Sequence, residues 1–230
     1  MKITTKLLVV FVLIGTGFIS CKNTTEVEKE KNETVEAKET EVKSVESDAA
    51  VNVILNANLA TEADLNTLGL SAEIVSQILE KRPFLDMKKL DVLLEGVNKE
   101  ELYKKVFVPF NLNTTAEADF KMIPGVGDRM AHEFEEYRPY ISVKQFKKEI
   151  GKYVDESEVE RYLNYVFVPV ELNTASDEDI KALPGVGKKM AHEFEEYRPY
   201  VNLAQFRKEI GKYVDDKELK RLERFVYLKN

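Results

Sequence analysis

The sequence Pro-Gly-Val-Gly occurs twice, at residues 124–127 and 184–187, and it decides how the chain around it folds. Proline has no amide hydrogen and glycine tolerates a positive φ, so a helix that arrives from the N-terminal side ends here. Helix resumes after the turn, because Met130, Phe134 and Tyr137 follow at helical spacing and form one apolar stripe. Each copy therefore predicts two helices joined by a tight turn.

The turn belongs to a repeating unit. Residues 111–170 align with residues 171–230 without gaps, and 33 of the 60 positions are identical. The two copies share the runs MAHEFEEYRPY and KEIGKYVD. A more divergent copy precedes them, in which Arg82-Pro83-Phe84 aligns with Arg138-Pro139-Tyr140. Self-similarity at a fixed period predicts tandem units, here residues 51–110, 111–170 and 171–230.

Each unit is predicted to be helical throughout. In the second unit, Thr114 or Thr115 is placed to cap the first helix, Ser142 the third and Asp155 the fourth. The closing Val-Phe-Val-Pro is β-prone, but it is short enough to be an extended connector. Tyr140 and its copy Tyr200 follow a proline and are candidates for exposed rings. The predicted fold class is all-α, without a sheet.

Charge and composition limit the function classes. The chain has 34 basic and 41 acidic residues, a net charge of −7, and proteins that bind nucleic acid through phosphate contacts alone are usually basic. The charge falls unevenly, since the first and second units carry −2 and −3 and the third is neutral. A single Cys excludes an internal disulfide and a thiolate zinc site. The two histidines, one in each later unit, are expected at the surface, with no metal or cofactor.

The N-terminus resembles an export signal. Residues 1–20 have two lysines followed by an apolar run too short to span a bilayer. Phe18-Ile19-Ser20-Cys21 resembles a bacterial lipobox, which implies lipidation of Cys21 and, with Lys22 next, an outer-membrane location in the cell envelope. The alternative is a cleaved secretory signal with an incidental cysteine. Residues 21–50 lack aromatic residues, Gly, Pro and Leu, which predicts a disordered tether.

Helix, Pro-Gly-Val-Gly, helix, with an alanine four residues after the second glycine, resembles the helix-hairpin-helix motif. Leu172-Asn173-Thr174-Ala175 and the run from Ala182 to Ala191 resemble the ComEA-like family of DNA-uptake receptors. The resemblance covers residues 52–230 and implies three tandem helix-hairpin-helix units, each a SAM-like bundle of short helices. It also implies sequence-independent binding of double-stranded DNA, with a role in DNA uptake.

The resemblance assigns the DNA contacts to the two turns, because the first amides of a helix have no intrahelical partner and favour a phosphate. The first unit lacks the proline, the second glycine and a basic residue at this place, so no contact is expected from it. Asp128 replaces a lysine in the second unit and repels phosphate. The implied DNA-binding residues are Gly125, Val126, Gly127, Arg129, Gly185, Val186, Gly187, Lys188 and Lys189.

The sequence leaves one alternative function open. The turns are also compatible with tight helix packing alone, in a structural or protein-interaction lipoprotein whose partner is an envelope protein. The acidic residues around the turns favour that alternative, whereas the intact Pro-Gly-Val-Gly-Lys-Lys favours DNA. We expect no catalysis, because the sequence has no nucleophile paired with a base and no cluster of metal-binding carboxylates.

Overall fold

The computed structural model describes residues 54–229. The predicted signal peptide, the lipidation site Cys21 and the predicted tether lie outside the described residues. Residues Ala49–Asn230 form one compact unit. Among the residues described, none of the helices has the length and apolar character required to cross a membrane.

The described chain is mostly helical, and the order strand, four helices, strand occurs three times. The first repeat comprises β1 (Leu55–Asn56), α1 (Glu62–Asn66), α2 (Ala72–Lys81), α3 (Met87–Leu93), α4 (Lys99–Leu102) and β2 (Val106–Phe107). The second repeat comprises β3 (Phe110–Asn111), α5 (Glu117–Phe120), α6 (Asp128–Glu136), α7 (Val143–Ile150), α8 (Glu156–Tyr162) and β4 (Val166–Phe167). The third repeat comprises β5 (Val170–Glu171), α9 (Asp177–Lys181), α10 (Lys188–Glu196), α11 (Leu203–Ile210), α12 (Asp216–Glu223) and β6 (Val226–Tyr227).

The short strands correct the prediction of an all-α fold without a sheet. In each repeat the first strand pairs in parallel with the last, as Phe110 does with Val166. Val-Phe-Val-Pro therefore is not a free connector. Its Val166-Phe167 half pairs with the strand that opens the same repeat, which satisfies backbone groups that burial would otherwise leave without partners. Each strand pair thus joins the two ends of its repeat.

The helix ends follow the predicted caps with one exception. Ser142 accepts the amide of Gln145, and Asp155 accepts the amide of Glu158, as predicted for α7 and α8. The first helix of the second repeat differs, because its N-cap is Ala116 and neither predicted threonine caps it. The corresponding α9 of the third repeat has the hydroxyl cap of Ser176.

Tyr140 and Tyr200, which follow the two later Arg-Pro pairs, are buried and are held by a pair of hydrogen bonds that we call the clamp. The Asn113 amide group donates to the Tyr140 carbonyl at 2.8 Å and accepts the Tyr140 amide at 2.7 Å. The Tyr140 ring is fully buried and packs on Phe146. Tyr200 is buried by the same arrangement. The prediction that these tyrosines are exposed is wrong, because the clamp turns both rings into the core.

The repeats share buried aromatic junctions. Phe107, at the end of the first repeat, packs edge-on against Tyr165 with 5.0 Å between ring centroids. Phe167, at the end of the second, packs against Phe225 at 4.7 Å. One apolar core extends through the first two repeats, and a second core fills the third. Phe107 and Phe167, which end the first two repeats, therefore each pack against the repeat that follows.

Candidate nucleic-acid interface

The two Pro-Gly-Val-Gly turns lie at the surface of the protein. We refer to residues 124–129 as hairpin 2 and to residues 184–189 as hairpin 3, after their repeats. In hairpin 3 both glycines and both lysines are exposed, while the Val186 side chain is buried and anchors the turn in the core. Hairpin 2 has the same burial pattern. The chain thus presents backbone and cationic side chains outward at one point in each later repeat.

Helix α10 begins with open amides. The first paired amide is that of Ala191, which donates to the Gly187 carbonyl at 2.9 Å. The amides of Gly187, Lys188 and Lys189 donate to no acceptor within residues 54–229, and the N-cap Gly187 has no side chain to cap them. Helix α6 starts from Gly127 in the same way. The open end of a helix favours an anion, so these amides form a candidate phosphate site.

The valine amides are not part of that site. The Val186 amide donates to the Leu183 carbonyl at 3.0 Å, and the Val126 amide donates to the Ile123 carbonyl at 3.0 Å. These bonds close the turn that ends the preceding helix. The expectation that Val126 and Val186 offer free amides to phosphate is therefore corrected, and their role is to hold the turn.

The two glycines of each hairpin differ in backbone conformation and in the reason why a side chain is absent. Gly125 and Gly185 have positive φ, at 83° and 74°, where a side chain is strained. Gly127 and Gly187 have ordinary extended φ values of −93° and −85°. A Cβ on either second glycine would meet nothing within 4 Å in the described structure. The second glycine therefore leaves space above the open amides, which corrects the interpretation that it supplies a positive φ.

The other helix starts show that open amides are not a general feature of the fold. Helix α2, which corresponds to α6 and α10, begins at Ser71, whose hydroxyl accepts the Ile74 amide at 3.3 Å. In the fourth helices, the carboxylates of Asp155 and Asp215 accept amides in the first turn. An aspartate there also repels an anion. Side chains of the protein therefore already accept amides at the start of α2 and at the starts of α8 and α12.

Electrostatics separate the two hairpins. Lys188 and Lys189 form no ion pair within residues 54–229, and the first turn of α10 has no acidic residue. In hairpin 2, Asp128 occupies the position of Lys188 and bonds to Lys121 Nζ at 2.9 Å. This bond lowers the pKa of the Asp128 carboxyl, which keeps it charged. Hairpin 3 is therefore the more attractive of the two to a phosphate.

Arg129, the remaining cation of hairpin 2, lies over an aromatic ring. Its guanidinium is 5.7 Å from the centroid of the Tyr153 ring, within the distance of a cation–π contact. Arg129 is exposed, so it can reach a ligand without leaving a buried partner.

An arginine of the fourth helix holds each hairpin, and it is buried in the third repeat but only partly buried in the second. In the second repeat, Arg161 Nη2 donates to the Pro124 carbonyl at 2.9 Å. In the third, Arg221 Nη1 donates to the Pro184 carbonyl at 2.5 Å while its other nitrogens bind Glu218. Sequence reasoning did not identify these arginines. Their signal is that they stay identical between repeats within a helix whose neighbouring residues differ.

The first repeat approaches hairpin 3. A Cβ on Gly185 would lie 2.5 Å from Leu59 Cδ1, which places the Leu59 side chain against the first glycine. Leu59 does not contact the second glycine, where the surroundings are open. Hairpin 2 instead borders a groove of about 480 Å³ that Lys99, Glu100 and Tyr103 of the first repeat also line. No hydrogen bond or ion pair of the described residues joins one hairpin to the other.

Comparison with known proteins supports this assignment of the fold. The family model for the helix-hairpin-helix motif matches residues 166–227, which are the third repeat with the strand before it. The predicted helix-hairpin-helix motif is confirmed for this part of the chain. No curated protein matches the sequence, and no solved structure matches the fold.

Proposed function

We propose that this protein binds double-stranded DNA without sequence preference, by seating backbone phosphates on the open helix starts of hairpin 3 and, more weakly, hairpin 2. Helix-hairpin-helix motifs commonly bind nucleic acids, and the match lies on the repeat that contains hairpin 3. Contacts of this kind position a duplex without reading its bases.

The observation that carries the proposal is the open start of α10. The amides of Gly187, Lys188 and Lys189 have no acceptor within residues 54–229, and the missing side chain of Gly187 leaves the approach clear. Two exposed lysines follow at once, with no carboxylate in the first turn. Amides and cations converge on one point, which suits a phosphate oxygen better than any neutral ligand.

The anionic net charge limits the strength of binding rather than excluding it. Non-specific DNA affinity depends on how many phosphates the protein neutralises, and here the two hairpins offer few cations. We therefore expect weak binding that declines steeply with salt. The contribution of hairpin 2 is smaller, because Asp128 opposes the phosphate that Arg129 attracts.

The wider setting of the protein is part of the same proposal. We infer three helix-hairpin-helix units, at residues 51–110, 111–170 and 171–230, the first of which has lost its phosphate site. Lipidation at Cys21 would anchor them to the bacterial outer membrane through the tether at residues 21–50, and a role in DNA uptake follows from that location. The sequence pattern alone supports these steps, as it supports a binding role without catalysis.

The direct test measures binding of a fluorescent duplex to the compact unit Ala49–Asn230 by anisotropy over a salt series. We expect Lys188→Glu with Lys189→Glu to abolish binding, because four units of charge change beside the open amides. The matched control is Lys208→Glu with Lys220→Glu, which makes the same charge change at exposed positions of the third repeat away from the hairpin. Binding that survives the first pair, or that both pairs reduce equally, rejects hairpin 3 as the site.

One observation favours the alternative of a protein-interaction module. Leu59 of the first repeat already covers part of hairpin 3, so a duplex has to approach from the side of Gly187. If Ala49–Asn230 binds no DNA at low salt, the hairpins serve helix packing, and crosslinking in intact envelopes should identify a protein partner instead.

A further inference from the structure

The three repeats meet around a cavity of about 440 Å³. Its lining includes Leu85 and Asp86 of the first repeat, Asn111 and Thr114 of the second and Arg224 of the third. A cavity of this volume is within the range of pockets that hold small molecules. None of its lining residues belongs to hairpin 2 or hairpin 3, so it is separate from the candidate nucleic-acid interface.

Arg224 brings to this cavity a positive charge that pairs with no acidic side chain among residues 54–229. Its Nη2 donates to the Pro109 carbonyl at 2.8 Å, and the guanidinium carbon lies 5.1 Å from the centroid of the Phe167 ring. Burial, together with the nearby charge of Arg221, lowers the pKa of Arg224 to about 10, so the guanidinium is charged at neutral pH. A guanidinium without an acidic partner favours a carboxylate or a phosphate as its ligand.

The third repeat shows which group fits beside the threonine of this cavity. There the hydroxyl of Thr174, the equivalent of Thr114, donates to the Glu171 carboxylate at 2.7 Å. The second repeat has Asn111 at the position of Glu171, and Asn111 Oδ1 accepts the amide of Asn113. The Thr114 hydroxyl donates to no acceptor within residues 54–229. The protein therefore supplies a carboxylate at one of these two places and not at the other.

The acidic groups of the cavity define the other end of its ligand. Asp119, which also lines it, forms an ion pair with Lys88 at 2.7 Å. Asp86 has no ion pair among the described residues, and only its Oδ1 is engaged there, with the Lys88 amide at 2.9 Å. The lining groups left without a counter-charge are therefore one cation, Arg224, and one anion, Asp86.

We propose that this cavity binds a free α-amino acid with an apolar side chain. The carboxylate of the ligand pairs with Arg224 and accepts the Thr114 hydroxyl, and its ammonium group pairs with Asp86. Leu85 and Phe110 give the cavity an apolar lining for the side chain of the ligand. A dianion such as inorganic phosphate fits less well, because Asp86 repels it. The proposal does not depend on DNA binding by the hairpins.

Calorimetric titration of Ala49–Asn230 tests the charge pattern with three ligands that share one carbon skeleton. Leucine carries both charges, isocaproate lacks the ammonium group and isoamylamine lacks the carboxylate. We expect leucine to bind at least about tenfold more tightly than either analogue, because each analogue loses one charge-assisted contact. Isocaproate that binds as tightly as leucine, or leucine that does not bind at high millimolar concentration, overturns the proposal.

Asp86→Asn removes the charge that holds the ammonium group but keeps the cap of α3, since asparagine caps a helix as aspartate does. The variant should bind leucine about tenfold more weakly, and isocaproate no more weakly, than the wild-type protein does. Asp155→Asn is the matched control, because it makes the same change at the cap of α8 and outside the cavity. Equal loss of leucine binding in the two variants would contradict the role given to Asp86.

The equivalent threonines give a second matched pair. Thr114→Val should weaken leucine binding by about threefold to tenfold, because the exposed hydroxyl is a donor to the carboxylate of the ligand. Thr174→Val should leave the affinity unchanged, since that hydroxyl already donates to Glu171. If both variants bind leucine as the wild-type protein does, the carboxylate does not lie beside Thr114 and the proposed binding mode is wrong.

Arg224→Met should abolish leucine binding. Urea denaturation shows whether the variant still folds, because Arg224 also donates to the Phe84 and Pro109 carbonyls. A folded Arg224→Met variant with wild-type affinity for leucine overturns the proposal. If the variant does not fold, the two matched pairs decide the outcome.

Discussion

Arg221 is 1% exposed, and its guanidinium donates to the Pro184 carbonyl at 2.5 Å, which fixes hairpin 3 to a helix 37 residues further along the chain. The same side chain binds Glu218 through two nitrogens, which orients the guanidinium. The open amides of α10 therefore face solvent from a rigid support. Because a buried charge without its partners is costly, this support matters for both folding and ligand binding.

Replacing this arginine should destabilise the third repeat. Arg221→Ala leaves the Pro184 carbonyl and Glu218 without their donor, which costs about 1–3 kcal/mol for an unsatisfied buried group. Urea denaturation of the Ala49–Asn230 unit measures the loss. Arg161→Ala is the matched variant, and its effect should be smaller because the Arg161 side chain is 31% exposed. Equal stability of wild type and Arg221→Ala would contradict the role given to this contact.

Alanine at the first glycine of hairpin 3 should mainly lower stability, whereas alanine at the second glycine should mainly lower DNA affinity. Gly185→Ala places a side chain at a φ of 74° and against Leu59, so we expect a loss of stability of about 1–2 kcal/mol. Gly187→Ala adds a methyl group into open space and should cost only about 0.5 kcal/mol at an N-cap. The same methyl group stands where a phosphate would approach, so DNA affinity should fall most in the Gly187 variant.

Thermal melting and duplex titration of both variants separate the two effects. Leu59→Ala combined with Gly185→Ala should recover part of the stability lost in Gly185→Ala, since one of its two costs is a clash. If the Gly187→Ala variant binds DNA with wild-type affinity, the open amides at the start of α10 are not the phosphate site.

Replacing the Asp128 carboxylate of hairpin 2 with a cation should raise the affinity of the protein for DNA. Asp128→Lys gives hairpin 2 two consecutive cations, as in hairpin 3 but with Arg129 in the place of Lys189, and frees Lys121 from its ion pair. Under the proposed function, the plot of log K against log salt should steepen by about 1–2, since each further neutralised phosphate adds about 0.9 to the slope. Glu136→Lys is the control, because it makes the same charge change at the exposed far end of α6. An equal gain in both variants would indicate a general charge effect.

Glu171 should make the stability of the third repeat depend on pH. The carboxylate is buried, and although burial raises its pKa, bonds from Thr174 and from the Asn173 and Lys229 amides lower it overall. A carboxyl with a depressed folded pKa stabilises the fold above its unfolded value of about 4.3 and loses that contribution as pH falls through the folded value. Asn56 and Asn111 occupy the equivalent positions in the other repeats.

Glu171→Asn therefore imitates the other repeats and should remove this pH dependence. We expect the difference in melting temperature between wild type and variant to be constant from pH 7 to about 5 and to change in favour of the variant at lower pH. Melting followed by circular dichroism measures it. A constant difference down to about pH 3 would show that Glu171 is not the titrating group.

Local sequence determined the helices and the turns of this protein. The two Pro-Gly-Val-Gly turns follow the ends of α5 and α9. Ser142 and Asp155 cap α7 and α8, because a cap depends on residues within one turn. The repeat was visible for the same reason, since identical runs fold alike. The helix-hairpin-helix motif of residues 166–227 followed from these local patterns.

Tertiary contacts decided the rest, because they join residues far apart in the chain. The strand pair of Phe110 with Val166 exists only when the ends of a repeat meet, and two residues carry too little pattern to predict it. Burial of Tyr140 depends on Asn113, 27 residues away. The candidate site divides in the same way, because the sequence located the turn but not its contacts. Only the tertiary structure showed that the Val186 amide is already hydrogen-bonded, that Arg221 donates to the Pro184 carbonyl and that Leu59 covers Gly185.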